Sequence, residues 1–575
     1  MNDMAASEKL FKKSDYILFT ILTLLSFSAI VYFMTYWFAS NEWREHPLIF
    51  SIITLILGAI LVNSQGRWFV LPYMRQPRPM VARAGWKVAV VTTFVPGAEP
   101  LDMLEETVQA LVALDYPHDT WVLDEGDEAQ VKALCSALGA QHFSRKNFPH
   151  YHTAQGTFQS HSKHGNYNTW LAEVGFKRYD IITAFDPDHV PKPSFLDHVL
   201  GYFEDPQIGY VQVAPAYYNQ RASFIARGAA EETYAFYSTM QMASYGLGDA
   251  TPNGISAYYQ MPQIIGCHNT HRVTALRQIG GFAPHDADDL LATLFYWASG
   301  WRGVYVPQIL ARGLTPVDWQ GYLTQQRRWA RSILDIKLRI YPQFTQELSW
   351  KMRLMSILHA LNYLHKSLII LASLILVASM LATGTVPQII SYPIVPKLAG
   401  VSFTSMLCEF YRQRFYVNPQ QEWGLHWRTA LLYLAKWPYM LLALYDVISR
   451  NKFSYVITRK TKHASSSNML LLPNVLIIIL ICLTWSIGMV NERITHPFLH
   501  ISALGIIAGA LGLILSNHQH FPAPYDKNLG RQVGSDIHVC AMKTVRWNGW
   551  KMFQRCWSAI LPGCMRARVT PNVIE

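Results

Sequence analysis

The chain has 575 residues, of which 51% are hydrophobic and 13% aromatic. One core rarely organises so long a chain, and so apolar a composition is unusual for a soluble protein, so we expect a membrane protein with at least two regions. Lysine and arginine outnumber aspartate and glutamate by 49 to 38, a net charge of +11, and the basic residues cluster beside apolar runs. That distribution indicates contact with anionic lipid headgroups and argues against a nucleic-acid partner.

Two apolar runs near the start predict a membrane hairpin. Residues 16–39 are enough to cross a hydrocarbon core of about 30 Å as a helix, and residues 47–62 supply a shorter second run. We therefore assign residues 1–66 to an N-terminal transmembrane hairpin. A hairpin leaves the start of the chain and the region that follows it on the same side, which we expect to be the cytoplasm.

From residue 87 the pattern changes to strands that alternate with helices. A β-branched run at 88–93 precedes a helical pattern at 101–114, and further strands are predicted at 120–124 and 181–184. This alternation predicts an α/β domain with a mainly parallel sheet, which we place at residues 67–331. Ligands of such sheets lie beyond the carboxyl ends of the strands, where Asp124 and Asp186 fall.

The C-terminal part returns to the membrane. We expect interfacial helices within 332–365 and a channel region over 366–517, with spans at 366–383, 388–415, 469–490 and 498–515. Residues 427–448 contain Arg428, Lys436 and Asp446 and are assigned to the interface. About six spans in total leave a basic cytoplasmic tail at 518–575 in a multi-pass protein of the cell (inner or plasma) membrane.

The segment Asp186-Pro187-Asp188-His189 follows an apolar strand. Two carboxylates on one short loop can share a divalent cation, and His189 is a candidate third ligand. A nucleotide diphosphate needs such a cation. The same residues also fit an ordinary turn.

Asp288 and Asp289 open the apolar helix 290–298, and carboxylates near a helix N-terminus are expected to be held ionised. An ionised carboxylate beside an acceptor hydroxyl can serve as the general base of an inverting sugar transfer, although helix capping explains the same residues. Gln325-x-x-Arg328-Trp329 combines a cation for a departing phosphate with an indole on which a sugar ring can stack. The order of these groups along the chain favours a shared function over separate structural roles.

This series resembles the membrane-embedded, processive, inverting glycosyltransferases of family 2, which include cellulose, hyaluronan and chitin synthases. Cellulose synthases are the most similar of these. The resemblance extends over roughly residues 85–515 and rests on Asp115-Tyr116-Pro117, Lys163-His164-Gly165-Asn166-Tyr167-Asn168, Phe185 to Pro191, Tyr210-Val211-Gln212, Gln325 to Trp329 and Tyr455 to Lys460.

The resemblance implies a GT-A type domain inserted between transmembrane helices, with a role for each matching residue. Asp124 and Lys163 would hold the uridine diphosphate, and Asp186 and Asp188 would place it with Mg²⁺ (or Mn²⁺), joined by His189. Gln325 and Arg328 would stabilise the diphosphate. Further implied residues are the general base Asp289, the acceptor-binding Trp329 and Asp288, and a gating loop at 453–462 with Tyr455, Ile457 and Thr458.

Two segments depart from the family pattern. Ala287-Asp288-Asp289 stands where the family has Thr-Glu-Asp, so Asp289 takes the base position, and the shorter Asp288 is expected to alter contacts with the acceptor. Residues 266–272, on the acceptor side, are richer in histidine and asparagine than is usual for cellulose synthases. These differences bear on the sugar and the linkage of the product.

We therefore expect a processive synthase that transfers glucosyl units from UDP-glucose to the non-reducing end of a β-glucan and threads the chain out through its own helices. Its partners would be the growing polysaccharide, the bilayer, and an export accessory subunit or further copies of itself. The alternatives are a non-processive transferase that acts on a lipid carrier, a hyaluronan-like or chitin-like synthase that uses another UDP-sugar, and a catalytically silent scaffold.

Overall fold

A seven-stranded mixed sheet forms the centre of the structure. The computed structural model describes residues 7–234, 239–247, 262–451, 468–492, 496–518 and 525, all of which belong to one unit that spans 1–530. In chain order the strands are β1 Val88–Phe94, β2 Asp119–Asp124, β3 Gln141–Phe143, β4 Ile181–Phe185, β5 Ile208–Val213, β6 Asn269–Arg272 and β7 Arg302–Val306. Their spatial order is β7-β5-β6-β4-β1-β2-β3. Strand β6 runs antiparallel to both neighbours and the other pairs are parallel, which agrees with the predicted α/β class.

Strand β1 lies inside the sheet and has every residue buried. Its alternate side chains enter two different cores: Val88 and Val90 pack into one, and Ala89 and Val91 into the other. A strand covered on both faces needs a continuous apolar and β-branched run rather than alternation with polar residues. The sequence of β1 meets that requirement.

The pairing register brings the carboxyl ends of three strands to one edge. Phe94 at the end of β1 is opposite Asp124 at the end of β2, and Thr92 is opposite Phe185 at the end of β4. The loop that contains Asp186 therefore leaves the sheet at the same edge as Asp124. This edge is where the sequence predicted the ligand site.

Helices cover both faces of the sheet. Two of them are named here for later use: the base helix, Asp288–Ala298, and the QxxRW helix, Trp319–Asp335. The remaining helices of this region are Leu101–Val112, Ala129–Leu138, Lys163–Trp170, Phe176–Arg178, Phe195–Val199, Phe224–Thr233, Thr239–Leu247 and Val273–Gln278. Two short antiparallel pairs complete it, Ser7–Lys9 with Arg75–Pro77 and Val190–Pro191 with Ala311–Arg312.

The described part of the chain contains six helices that are long and apolar enough to cross a membrane. They are Lys13–Phe38, Pro47–Tyr73, Met352–Thr383, Trp427–Ile448, Met469–Val490 and Pro497–Ser516. Two precede the sheet domain and four follow it, as predicted. Length and composition therefore make this a multi-pass membrane protein.

One of the six candidate spans differs from the prediction. Trp427–Ile448, which we had assigned to the interface, is apolar enough to span, whereas the predicted span at 388–415 contains the less apolar helix Ile394–Arg412. The contacts of the charged side chains in 427–448 explain this difference. Lys436 and Asp446 are buried and pair with Glu232 and Arg327 of the sheet domain, so neither charge needs to face lipid.

The helices of the predicted interfacial region, 332–365, also differ from those expected. Its first part extends the QxxRW helix through a wider turn at Ile336–Ile340, and its second part belongs to one helix, Trp350–Thr383, which continues without interruption into the span. No proline or glycine occurs between 350 and 383 to stop that helix, and Gly384 in the left-handed conformation ends it. The predicted gating loop at 453–462 and the tail at 518–575, apart from His518 and Tyr525, lie outside the described residues.

A buried ion pair joins the QxxRW helix to Trp427–Ile448. Arg327 Nη2 and Nε donate to Asp446 Oδ2 at 2.6 and 3.0 Å, and the Asp446 side chain is 4% exposed. We expect Arg327→Met to cost about 1–3 kcal/mol of stability. Among the described residues, it leaves the buried Asp446 carboxylate with only the 3.4 Å side-chain contact from Asn451. Thermal unfolding in detergent measures this cost. Adding Asp446→Leu should recover much of it, since an apolar pair can replace an ion pair, and a double variant no more stable than Arg327→Met would contradict this account.

Candidate active site

A cavity of about 340 Å³ opens at the carboxyl edge of the sheet. Nine of the residues predicted for the site line it: Lys163, Asp186, Asp188, His189, Asp288, Asp289, Gln325, Arg328 and Trp329. They come from four separate segments of the chain, which the fold brings together. The roles predicted for them remain predictions, but their proximity is a property of the structure.

Asp124 is fully buried at the end of β2 and is not among the residues that line the cavity. Its carboxylate accepts hydrogen bonds from the backbone N–H groups of Gly126 and Glu128, at 2.8 and 2.5 Å, and lies 3.2 Å from His142 Nε2. Burial alone would raise the pKa of Asp124, but these hydrogen bonds outweigh it and hold the pKa below its usual value. In this structure Asp124 shapes the loop that follows β2.

Lys163 connects three parts of the cavity wall. It begins the helix Lys163–Trp170, and its Nζ donates to Asp186 Oδ1 at 2.6 Å and to the carbonyl oxygen of Gly266 at 3.0 Å. Burial would lower the pKa of Lys163, but the carboxylates of Asp186 and Asp288 raise it well above its usual value. Lys163 is therefore a fixed cation beside the carboxylates of the cavity.

Asp188 and His189 are both buried behind Asp186. Asp188 Oδ1 lies 3.2 Å from His189 Nδ1, and Asp188 Oδ2 accepts the backbone N–H of Leu314 at 3.1 Å. One ligand atom from each of Asp186, Asp188 and His189 lies within 4.8 Å of the other two. The carboxylate oxygens are suitable ligands for Mg²⁺ or Mn²⁺, so the donor set fits such an ion.

Asp288 and Asp289 occupy the first turn of the base helix, as predicted. The helix terminus does not keep the pKa values of these carboxyl groups low, in contrast to the expectation. Burial, together with the charge of Asp288, raises the pKa of Asp289 to about 7, and burial also raises the pKa of Asp288. Desolvation outweighs the helix dipole and the hydrogen bond that Asp289 Oδ1 accepts from the Leu290 N–H at 2.7 Å.

Two sides of the QxxRW helix make different contacts. Gln325, Arg328 and Trp329 line the cavity, whereas Gln326 Oε1 accepts a hydrogen bond from Lys436 Nζ at 2.9 Å. The two further arginines of this helix pair with acidic residues: Arg327 with Asp446, and Arg331 with Asp286 at 3.7 Å. These neighbours anchor the helix while the other three side chains face the cavity.

A second, smaller cavity of about 40 Å³ lies among the QxxRW helix and two membrane helices. Gln325 and Trp329 line both cavities. On the membrane side the second cavity is lined by Lys366 and Ser367 of Trp350–Thr383 and by Tyr433 and Lys436 of Trp427–Ile448. Trp329 therefore stands between the sheet domain and the membrane helices.

Sequence reasoning missed several residues of the site. Arg145, which is fully buried, donates to both oxygens of Glu125 at 2.5 to 3.1 Å and to the carbonyl oxygen of Gln159, so it holds the loop after β2. His359 and Tyr363 of Trp350–Thr383 line the main cavity, and Glu232 pairs with Lys436 beneath it. In the sequence, the only sign of these residues is an arginine that follows an acidic strand end, and this signal is weak.

The mixed α/β sheet, with aspartates at or just after the ends of β2 and β4, agrees with the expected GT-A-like fold, and six apolar helices flank it in the chain. Residues 88–332 match the family described as "Glycosyltransferase like family 2". This region is therefore similar to the glycosyltransferase family 2 domain, and the chain is similar to cellulose synthases.

Individual relatives are distant. The chain is 27% identical to "Cellulose synthase 1" of Komagataeibacter xylinus over 355 residues, which is 60% of this chain but only 21% of that protein, so it spans about a fifth of its length. It is 28% identical to "Beta-monoglucosyldiacylglycerol synthase" of Synechocystis sp. over 264 residues, 44% of this chain and 50% of that one. Among solved structures, the mannosyltransferase PcManGT from Pyrobaculum calidifontis, in complex with GDP-Man and Mn²⁺, aligns with a TM-score of 0.45 at 14% identity, over 70% of this chain and 99% of that chain.

Proposed function

We propose that this protein is a processive synthase that transfers glucosyl units from UDP-glucose to the non-reducing end of a β-glucan, with inversion, and passes the product between its own membrane helices. One observation supports this most directly: Trp329 lines both the cavity of the carboxylates and the cavity among the membrane helices. An indole there can stack under the acceptor end of a chain that leaves toward the membrane. The likeness to cellulose synthases supports the same product class.

In the proposed reaction Asp289 is the general base. Its carboxylate takes the proton of the acceptor hydroxyl as that oxygen bonds to the anomeric carbon of the donor, while the bond from that carbon to the diphosphate oxygen breaks and UDP leaves. Because the attack comes from the face opposite the leaving group, the configuration inverts. A pKa raised to about 7 suits this task, since a base works best with a pKa near the working pH.

The cationic residues of the cavity would stabilise the leaving diphosphate. Lys163 and Arg328 both line the cavity and supply positive charge, and Gln325 lies one turn before Arg328 on the QxxRW helix. Asp186 and Asp188 would hold Mg²⁺ or Mn²⁺, with His189 as a further ligand, and the ion would neutralise charge on the diphosphate when bound. Asp288, beside the base, would contact the acceptor.

The test is synthesis by the purified protein in lipid nanodiscs with Mg²⁺ and one UDP-sugar at a time. We expect UDP-glucose to yield a long, insoluble polymer whose linkage analysis gives β-glucosyl residues. Release of UDP without a long polymer would refute processivity. Polymer made from UDP-N-acetylglucosamine or UDP-glucuronate instead would reassign the product to a chitin-like or hyaluronan-like chain.

A second candidate is transfer of a single glucosyl unit to a lipid. The likeness to the Synechocystis beta-monoglucosyldiacylglycerol synthase favours it, because that alignment covers half of the relative's length. Diacylglycerol added to the same assay separates the two. A glycolipid product that forms at the expense of polymer would favour this candidate, and no change on lipid addition would favour the synthase.

The raised pKa of Asp289 predicts a pH dependence of the rate. The carboxyl group is active when ionised, so kcat/KM should rise with pH and level off above an inflection at about pH 7. An ordinary carboxyl group, with a pKa of about 4, would instead give a flat profile over this range. Initial rates of UDP release between pH 5.5 and 8.5 distinguish the two.

A further inference from the structure

Three potential metal ligands lie together at the main cavity: His189 and Cys267, which line it, and His268, which is buried beside them. One ligand atom from each lies within 4.8 Å of the other two. We propose that they form a binding site for a soft divalent cation, with Zn²⁺ as the expected ion. The site would lie beside the magnesium site, and with Zn²⁺ bound the Nε2 of His189 would be a zinc ligand, which leaves Asp186 and Asp188 as the magnesium ligands. Cys267 and His268 belong to the segment 266–272, which is unusually rich in histidine and asparagine.

The two nitrogens of His189 have different surroundings. Nδ1 lies 3.2 Å from Asp188 Oδ1, so the Nδ1–H donates to a carboxylate that is itself fixed by the Leu314 N–H. Nε2 is buried, and the group that it faces is the side chain of Cys267, with which His189 interacts. A carboxylate that holds one ring nitrogen while the other points at a neighbour is the arrangement by which proteins orient histidine on a metal.

His268 shows the same division. Its Nε2 lies 3.2 Å from the carbonyl oxygen of Val213, to which it donates, and its Nδ1 is buried without a hydrogen-bond partner among the described residues. The side chain is 0% exposed, and that of His189 is 5% exposed. Buried polar atoms are normally paired, so the unpartnered Nδ1 of His268, beside the contact between His189 and Cys267, indicates a ligand among the three side chains. The ring centroids of the two histidines are 5.2 Å apart.

The backbone also holds His268 in place at a conformational cost. Its φ is +37°, a region that side chains other than glycine rarely adopt. Strained backbone of this kind occurs where a side chain must be held in one position. Gly313 packs against the other histidine so closely that an added Cβ would come within 2.3 Å of the His189 ring. The two imidazoles are therefore fixed independently of each other.

The chemistry of the set selects the ion. A cysteine sulfur and two imidazole nitrogens are ligands for Zn²⁺ and similar borderline-soft metals, whereas Mg²⁺ requires oxygen. Three protein ligands leave the fourth tetrahedral position of Zn²⁺ open toward the cavity. The site would thus bind its ion beside the donor pocket without replacing the carboxylate-bound ion.

Metal binding is tested on the full-length protein without any sugar donor, so the result does not depend on the proposed reaction. Metal-free protein is titrated with Co²⁺, then with Zn²⁺, in a large excess of Mg²⁺. We expect one Co²⁺ per chain with a sulfur-to-cobalt charge-transfer band, which Zn²⁺ then removes. Wild-type protein that shows no such band would overturn the proposal.

Variants assign the ligands. Cys267→Ser and His268→Gln should each weaken Zn²⁺ binding by more than about 100-fold, since a lost ligand costs more than a second-shell change. Cys482→Ser removes an exposed thiol elsewhere and should bind Zn²⁺ as the wild type does. Asp186→Asn should also do so, because it removes none of the three zinc ligands. Retention of the charge-transfer band in Cys267→Ser would refute the assignment. If that variant does not fold, His268→Gln and the wild-type spectrum decide.

Discussion

Asp289→Asn is expected to slow sugar transfer by about 10²–10⁴-fold, the usual contribution of a positioned general base, while UDP still binds. Asparagine keeps the shape of the side chain and can still accept the Leu290 N–H at Oδ1, but it cannot take a proton from the acceptor hydroxyl. Because Asp289 sits where burial already disfavours its charge, the neutral replacement should not destabilise the fold. Single-turnover rates and UDP titration by calorimetry provide the two measurements.

Asp288→Asn is the matched control, since Asp288 occupies the same turn of the same helix and its pKa is also raised by burial. We expect a smaller loss, mainly in the KM for the acceptor, because its proposed role is contact rather than proton transfer. Equal losses in kcat for the two variants would show that the pair acts as one unit. Retained synthesis in Asp289→Asn would place the base elsewhere.

Asp186→Asn is expected to reduce activity by about 10²–10⁴-fold, which corresponds to the several kcal/mol that a bound metal contributes to the transition state. Asp186 both lies in the proposed metal set and holds Lys163 Nζ at 2.6 Å, so the substitution removes an ion ligand and frees a cation. The half-saturating Mg²⁺ or Mn²⁺ concentration should rise, and part of the rate should return at high metal. Removing metal with a chelator should reproduce the loss in the wild type.

Asp286→Asn is the comparison for this variant. Asp286 also lines the cavity, but its carboxylate pairs with Arg331 at 3.7 Å and is not in the metal set. It should keep nearly full activity and an unchanged metal requirement. If Asp186→Asn and Asp286→Asn lost activity equally, the effect would be one of cavity charge and not of metal binding.

The location of the site could be predicted because it depends on local patterns. The apolar run of β1 and the acidic residues at the ends of β2 and β4 can each be recognised from a few consecutive residues. Parallel strands then bring their carboxyl ends to one edge of the sheet. The same reasoning found the base helix and the QxxRW helix. Each of these features is encoded within a single segment.

The remaining features depend on contacts between distant segments. Trp427–Ile448 was assigned to the interface because Lys436 and Asp446 count against a span, and their partners Glu232 and Arg327 lie more than one hundred residues earlier. The pairing of Arg145 with Glu125 and the burial of the Asp124 side chain likewise depend on the tertiary fold. The pKa of Asp289 depends on how deeply the helix terminus is buried, which helix-dipole reasoning does not include.

The ties between the QxxRW helix and Trp427–Ile448 have a consequence for the bilayer itself. Gln326 and Arg327 are bound to Lys436 and Asp446, and the next two residues, Arg328 and Trp329, face the cavity. A spanning helix adjusts its tilt when the thickness of the surrounding hydrocarbon changes. A change in lipid acyl-chain length should therefore shift the QxxRW helix, and with it the wall of the cavity, through the two adjacent side chains of Gln326 and Arg327.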